Sequence, residues 1–163
     1  MISIREKRDE TILIQNNKLI YGLSINTCLL FFTFSGIFNI LKNKAEELEL
    51  LNKTVYLKGF LPYEEVVSYL KSSDIALNAI KGKALQTMTN KFGDFVSAGL
   101  PILNCCQMEE VKKIIEEKGL GMNYIPENSN SLKEAILFLL EHKDKMLEFS
   151  KNSKKFANEK FDR

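Results

Sequence analysis

The sequence predicts an α/β fold in which a parallel sheet carries helices on both faces. Three observations lead there. From about Leu29 onward, short apolar runs alternate with longer amphipathic ones. No Asn-Gly or similar two-residue hairpin signal stands between the strand candidates, so consecutive strands are joined by helical crossovers. Helix starts and stops are marked where the alternation needs them, by Pro62 at an entry and Gly119 at an exit. Together these describe a Rossmann-like layout. At 163 residues the chain has room for one domain with a real core and too little for two.

The elements follow in order. Met1 to Ser24 fits least well: "ETILIQ" reads as a strand and "KLIYGL" as a helix, without clear periods. "LLFFTF" from Leu29 is a buried strand closed by Ser35-Gly36. Ile40 to Leu51 is a helix, with Leu41, Ala45, Leu48 and Leu51 at helical spacing. Thr54 to Phe60 is a β-branched and aromatic strand closing around Gly59. Pro62 then opens the helix "YEEVVSYLK", whose first turn is acidic. "DIALNAI" is a strand, followed by the polar loop "KGKALQTMTN" and the helix "KFGDFVSA". "PILNC" is a strand, "MEEVKKIIEEKG" a helix, and "GMNYI" a short strand closed by "PENSN". Ser131 and Glu134 have the spacing of a capping box for "LKEAILFLLEH". A last helix of alternating Lys and acid runs from Asp144 to about Lys160.

Composition removes several function classes. A net charge of +2 gives no bias toward nucleic acid, so no nucleic-acid partner is expected. The one histidine, His142, sits in the charged run "EHKDK", which argues against a His-based triad or zinc site. Cys28, Cys105 and Cys106 lack framework spacing, as expected of reduced thiols in a cytoplasmic protein. The Cys105-Cys106 pair has no histidine nearby in sequence to activate it and reads as buried small hydrophobes. "INTCLLFFTFSGIFNIL" is diluted by Asn26, Thr33, Ser35, Gly36 and Asn39, which favours a buried strand over a spanning helix of about 20 apolar residues. "MISIREKRDE" has no signal-peptide pattern.

In a parallel sheet, ligands gather where strand ends lead into helix N-termini. The longest such loop leads into "LQTMTNKFGDFVSAGLPIL". On a helix over Asn90 to Ala98, Phe92, Phe95 and Val96 face the core, while Asn90 and Asp94 lie opposite, one turn apart. Gln86, Thr87 and Thr89 add neutral donors and acceptors. Lys91 puts a cation where it mildly disfavours the helix, a cost that an anionic ligand reverses. The alternative is structural: Thr89 or Asn90 caps the helix and Asp94 favours its N-terminal half. Phe60 and Pro62 can line a base pocket or form an ordinary apolar turn. Lys81-Gly82-Lys83 can touch phosphate or be a loop tip. "SGIFN" lacks the glycines of a dinucleotide fingerprint, and no Walker-type Gly-Lys-Ser/Thr is present.

The order "TVYLKGFLPYEEVVSYLKSSDIALNAI", "NKFGDFVSAGLPIL", "GLGMNYIPENSNSLKEAILFLL" resembles the C-terminal, nucleotide-sugar-binding domain of GT-B fold glycosyltransferases. The resemblance is to family 4, "glycosyl transferases group one", of bacterial capsule, O-antigen and exopolysaccharide synthesis, and covers Leu29 to the end. It implies retaining transfer from a nucleoside-diphosphate sugar, with no metal or other cofactor. The family's Glu-x7-Glu motif falls on Gln86 and Asp94. The resemblance therefore gives Asp94 the ribose hydroxyls and places Lys91, with the amides near Asn90, at the diphosphate. Gln86 takes the catalytic position of the first Glu, where it can orient a sugar hydroxyl but carries no charge. Thr89 and Phe60 stay substrate-binding candidates on the reading of the residues above. The family's Arg and Lys that clamp the diphosphate have no counterpart in Met1 to Ser24, and its acceptor-binding N-terminal domain is absent. The expectation is one domain over the whole chain, the donor half of a transferase that works with an acceptor-domain partner chain. It is expected in the cytoplasm, with at most peripheral association at the inner face of the membrane. The alternative is a truncated or non-catalytic nucleotide-binding or interaction module.

Overall fold

The computed structural model describes residues 2–6, 11–15, 18–23, 27–32, 36–53, 55–58, 61–79 and 90–161. The strands are β1 (Ile2–Glu6), β2 (Thr11–Gln15), β3 (Lys18–Leu23), β4 (Thr27–Phe32), β5 (Val55–Lys58), β6 (Ile75–Asn78), β7 (Ile102–Asn104) and β8 (Gly121–Asn123). The helices are α1 (Gly36–Glu47), α2 (Tyr63–Lys71), α3 (Asn90–Ser97), α4 (Glu109–Glu117), α5 (Ser129–Glu141) and α6 (Lys143–Phe161). The main sheet has the order β5-β4-β1-β6-β7-β8, and β2 pairs with β3 alone.

β4–β5, β6–β7 and β7–β8 are parallel pairs, while β1 is antiparallel to both β4 and β6. The five outer strands therefore share one direction and β1 opposes them. Leaving out the hairpin, the order is the doubly wound 3-2-1-4-5-6 with its first strand reversed.

Strand alternation sends side chains to two cores. Ile75, Leu77 and Leu103 pack with Leu41 and Ala45 of α1 and Leu132, Ala135, Ile136 and Leu139 of α5. Ala76 and Ile102 face the other way, toward Leu70 of α2, Phe92, Phe95 and Val96 of α3, Val111 and Ile115 of α4, and Phe156 and Ala157 of α6. The chain winds outward in both directions from the middle of the sheet, so successive right-handed crossovers place α1 on one face and α3 and α4 on the other. Cys105 and Cys106 are buried in opposite cores, as small hydrophobes.

Three helices end alike. In α3, Gly99 N–H bonds Val96 O at 2.9 Å and Leu100 N–H bonds Phe95 O at 3.0 Å, with Gly99 at φ 72°. In α4, Gly119 and Leu120 repeat this on Glu116 and Ile115. In α1, Glu49 holds the left-handed position, at φ 55°. These are Schellman exits. α6 then closes over two of them: Ser150 Oγ donates to Gly99 O at 2.7 Å, Ser153 Oγ to Leu100 O at 3.0 Å and Asn152 Nδ2 to Gly119 O at 3.1 Å.

Four expectations are corrected. "KLIYGL" is the strand β3, paired antiparallel with β2, because its backbone finds a partner in the neighbouring apolar segment that no helical period competes with. The main sheet is not wholly parallel, because β1 enters it reversed. α1 starts at Gly36 and ends at Glu47, well ahead of the expected span, since the left-handed Glu49 stops it. α5 is capped by Asn128, whose side chain accepts Ser131 N–H at 3.0 Å, and Ser131 Oγ instead accepts Ile125 N–H. Asn is at least as good an N-cap as Ser, so the helix begins a turn earlier than the Ser131/Glu134 box implies.

Candidate functional site

α3 is built from residues of modest helix propensity, including Gly93 and Asp94, so its helicity rests on burial. Phe92, Phe95 and Val96 are essentially inaccessible, and Phe92 meets Phe156 edge-on with centroids 6.3 Å apart. Fully burying a side chain of this kind contributes about 1.5–3 kcal/mol, enough to hold a short helix in a fixed rotation. That rotation leaves Lys91 exposed in the first turn and Asp94 half-exposed at the start of the second. Asn90 is the first helical residue.

The start of α3 follows β6 and the start of α2 follows β5, both at the carboxyl edge of the sheet. There the two helices meet through side chains. Tyr63, the first residue of α2, donates its hydroxyl hydrogen to Asp94 Oδ1 at 3.0 Å. The Asp94 hydrogen bond, then the Asp94 charge, raise the Tyr63 pKa above its ordinary value. At the end of β5, the Lys58 ammonium lies 5.5 Å from the centre of the Tyr69 ring.

Behind this edge, the three parallel strands each end in asparagine: Asn78, Asn104 and Asn123 stand in register. Asn78 Nδ2 donates to Asn104 Oδ1 at 2.8 Å, and Asn104 Nδ2 to Asn123 Oδ1 at 2.7 Å. Asn123 Nδ2 reaches Glu116 Oε1 at 2.7 Å and Lys112 O at 3.3 Å. The direction of the chain is fixed by one backbone donor, since Cys106 N–H bonds Asn104 Oδ1 and a flipped amide loses that bond. Asn78 and Asn104 are buried on the α3 face, so a satisfied polar rail underlies the strand ends.

Of the residues singled out from sequence, Asp94, Lys91 and the backbone of Asn90 are gathered on one helical turn at this edge. Gln86, Thr89 and Phe60 lie outside the described residues, as do Thr87 and the Lys81-Gly82-Lys83 loop. Sequence reasoning missed Tyr63 as a site residue and missed the asparagine rail. An Asn inside each of three successive strand candidates, "DIALNAI", "PILNC" and "GMNYI", was a readable signal for the rail. Elsewhere, a cleft along α2 is lined by Glu64, Glu65, Ser68, Tyr69 and Ser72, an acidic setting unsuited to an anion. Among the described residues, no three His, Cys, Asp or Glu side chains are grouped so as to hold a metal ion. No helix among them is long and apolar enough to cross a membrane.

Solved structures share this architecture. Anabaena HepE in complex with UDP-glucose superposes with a TM-score of 0.66 at 16% identity, over 81% of this chain and 36% of its own. HepE in complex with UDP and glucose gives 0.65 over the same shares. Sucrose-phosphate synthase from Thermosynechococcus elongatus gives 0.64 at 15% identity, over 76% of this chain and 30% of its own. The chain has one half of the GT-B fold. It spans about a third of the length of these structures. No protein-family model matches it, and no curated protein does. Within the GT-B half, the α2–α3 edge carrying Tyr63, Lys91 and Asp94 is the carboxyl edge where ligands of doubly wound sheets bind.

Proposed function

We propose that the chain is the donor-binding half of a nucleotide-sugar-dependent glycosyltransferase. The observation that carries the reading is the N-terminal half of α3, where Asp94 presents a carboxylate and Lys91 an exposed ammonium at the carboxyl edge. A ribose diol needs acceptors, which Asp94 supplies. A diphosphate needs cations and N–H donors, which Lys91 and the backbone amides at the start of α3 supply. Gln86 and Thr89 precede this helix, and Phe60 precedes Pro62 and Tyr63, so the polar and aromatic residues needed for sugar, phosphate and base are close in sequence to the two helix starts. The neighbours' complexes with UDP and UDP-glucose support the same ligand class.

In this reading the reaction is retaining transfer without a metal. The departing diphosphate is stabilised by preorganised positive charge and helix N–H groups. An acceptor domain on a partner chain completes the transferase, in bacterial surface-polysaccharide assembly at the cytoplasmic side of the membrane. Isothermal titration of the full chain with UDP and GDP tests the donor site. Binding of one at micromolar to submillimolar Kd is expected, weakened several-fold in Lys91→Ala; no heat with either nucleotide at millimolar concentration rejects it.

A further inference from the structure

We propose that Tyr63 and Asp94 act as one ribose-recognising pair, each accepting one hydroxyl of a nucleotide's vicinal diol. The proposal rests on the donor-site reading above and adds to it a residue and a selectivity. Tyr63 and Asp94 belong to different helices, 31 residues apart in sequence, and meet only because α2 and α3 start at the same edge of the sheet.

The chemistry follows from the single phenolic proton. It is spent on Asp94 Oδ1, so the Tyr63 oxygen is left able only to accept. The ionised carboxylate is an acceptor as well, with its second oxygen and remaining lone pairs available for ligand. Two adjacent acceptors with no donor to offer repel a phosphate and match two adjacent donors, which is what hydroxyls on neighbouring ring carbons provide. The phosphates are thereby left to Lys91 and the amides of α3. The Asp94 hydrogen bond, then the Asp94 charge, raise the Tyr63 pKa above its ordinary value, in keeping with a hydroxyl that donates to that carboxylate.

The bond has little to do for the fold. Tyr63 is 62% exposed and forms no part of either core, and an exposed hydrogen bond of this type adds little to stability. What it does is hold Asp94 in one orientation, using a side chain with few rotatable bonds to freeze.

The test is titration of the full chain and its Y63F and D94N variants with whichever of UDP or GDP the wild type binds, and with its 2′-deoxy and 3′-deoxy analogues. Thermal melts check that Y63F is folded, which its exposure predicts. Y63F is expected to weaken the ribonucleotide about 3- to 10-fold. It should weaken one deoxynucleotide similarly and leave unchanged the other, which lacks the hydroxyl that Tyr63 meets. D94N should reduce discrimination at the second hydroxyl. Equal weakening of all three ligands by Y63F, or no weakening of any, overturns the pair while leaving the donor site standing. A wild type that binds neither UDP nor GDP overturns both.

Discussion

At the scale of single residues, the two tyrosines that matter are opposites. Tyr63 is exposed and its hydroxyl has a carboxylate partner; Tyr124 is buried and its hydroxyl has, among the described residues, only the weak Cys105 thiol beside it. Burial, and after it the neighbouring Cys105 thiol, push the Tyr124 pKa far above the ordinary phenol range. A thiol is a weak hydrogen-bonding group, so the buried hydroxyl recovers little of its desolvation cost and removing it is cheap. Tyr124→Phe is expected to leave stability unchanged or raise it by up to about 1 kcal/mol in urea unfolding. A loss of more than about 1 kcal/mol would show that the hydroxyl is satisfied after all. The Tyr63–Asp94 bond was not legible in the sequence, because nothing local couples two residues so far apart. Asp94 itself was legible, since helical spacing alone put it opposite Phe92, Phe95 and Val96.

At the scale of elements, the asparagine rail couples three strands and α4 through one run of amides. Asn104 is its centre: it serves Asn78, Asn123 and the Cys106 amide, and it is fully buried. Asn104→Ala strands each of those partners, and a loss of about 2–4 kcal/mol is expected in denaturant unfolding. A loss below about 1 kcal/mol would mean that the rail contributes little. Elements with their own punctuation were read well. α2 runs Tyr63–Lys71 as Pro62 and its acidic first turn imply, and α4 stops before Gly119 as expected. Where the punctuation was carried by an unusual residue, the reading slipped. Glu49 ends α1 in a conformation that glycine usually takes, and Asn128 rather than Ser131 caps α5. α6 was placed by its charge alternation, but its role came only with the fold, in Ser150, Asn152 and Ser153 reaching the exits of α3 and α4.

At the scale of the molecule, the strand order and the two cores make a doubly wound half with its candidate site where two helix starts converge. A ligand bound there ties α2 to α3 and favours the folded state by mass action. At a nucleotide concentration of 100 times Kd the gain is about 2.7 kcal/mol. For a chain of this size that corresponds to a rise in Tm of roughly 5–10 °C, readable by calorimetry with the nucleotide that binds. No rise at saturation would speak against the site. The alternation of strands and helices was plain in the sequence; the reversal of β1 was not, since strand direction is set by distant partners. That reversal has a consequence for how the chain is made. β1 is synthesised before β6, yet Ile4 pairs with Ile75, about seventy residues later. The units on either side, β4-α1-β5 and β6-α3-β7-α4-β8, can form from near neighbours, whereas β1 bridges them and must wait for both. A strand made before both of its partners is thus the one whose place is completed late, holding one edge unpaired until β6 arrives.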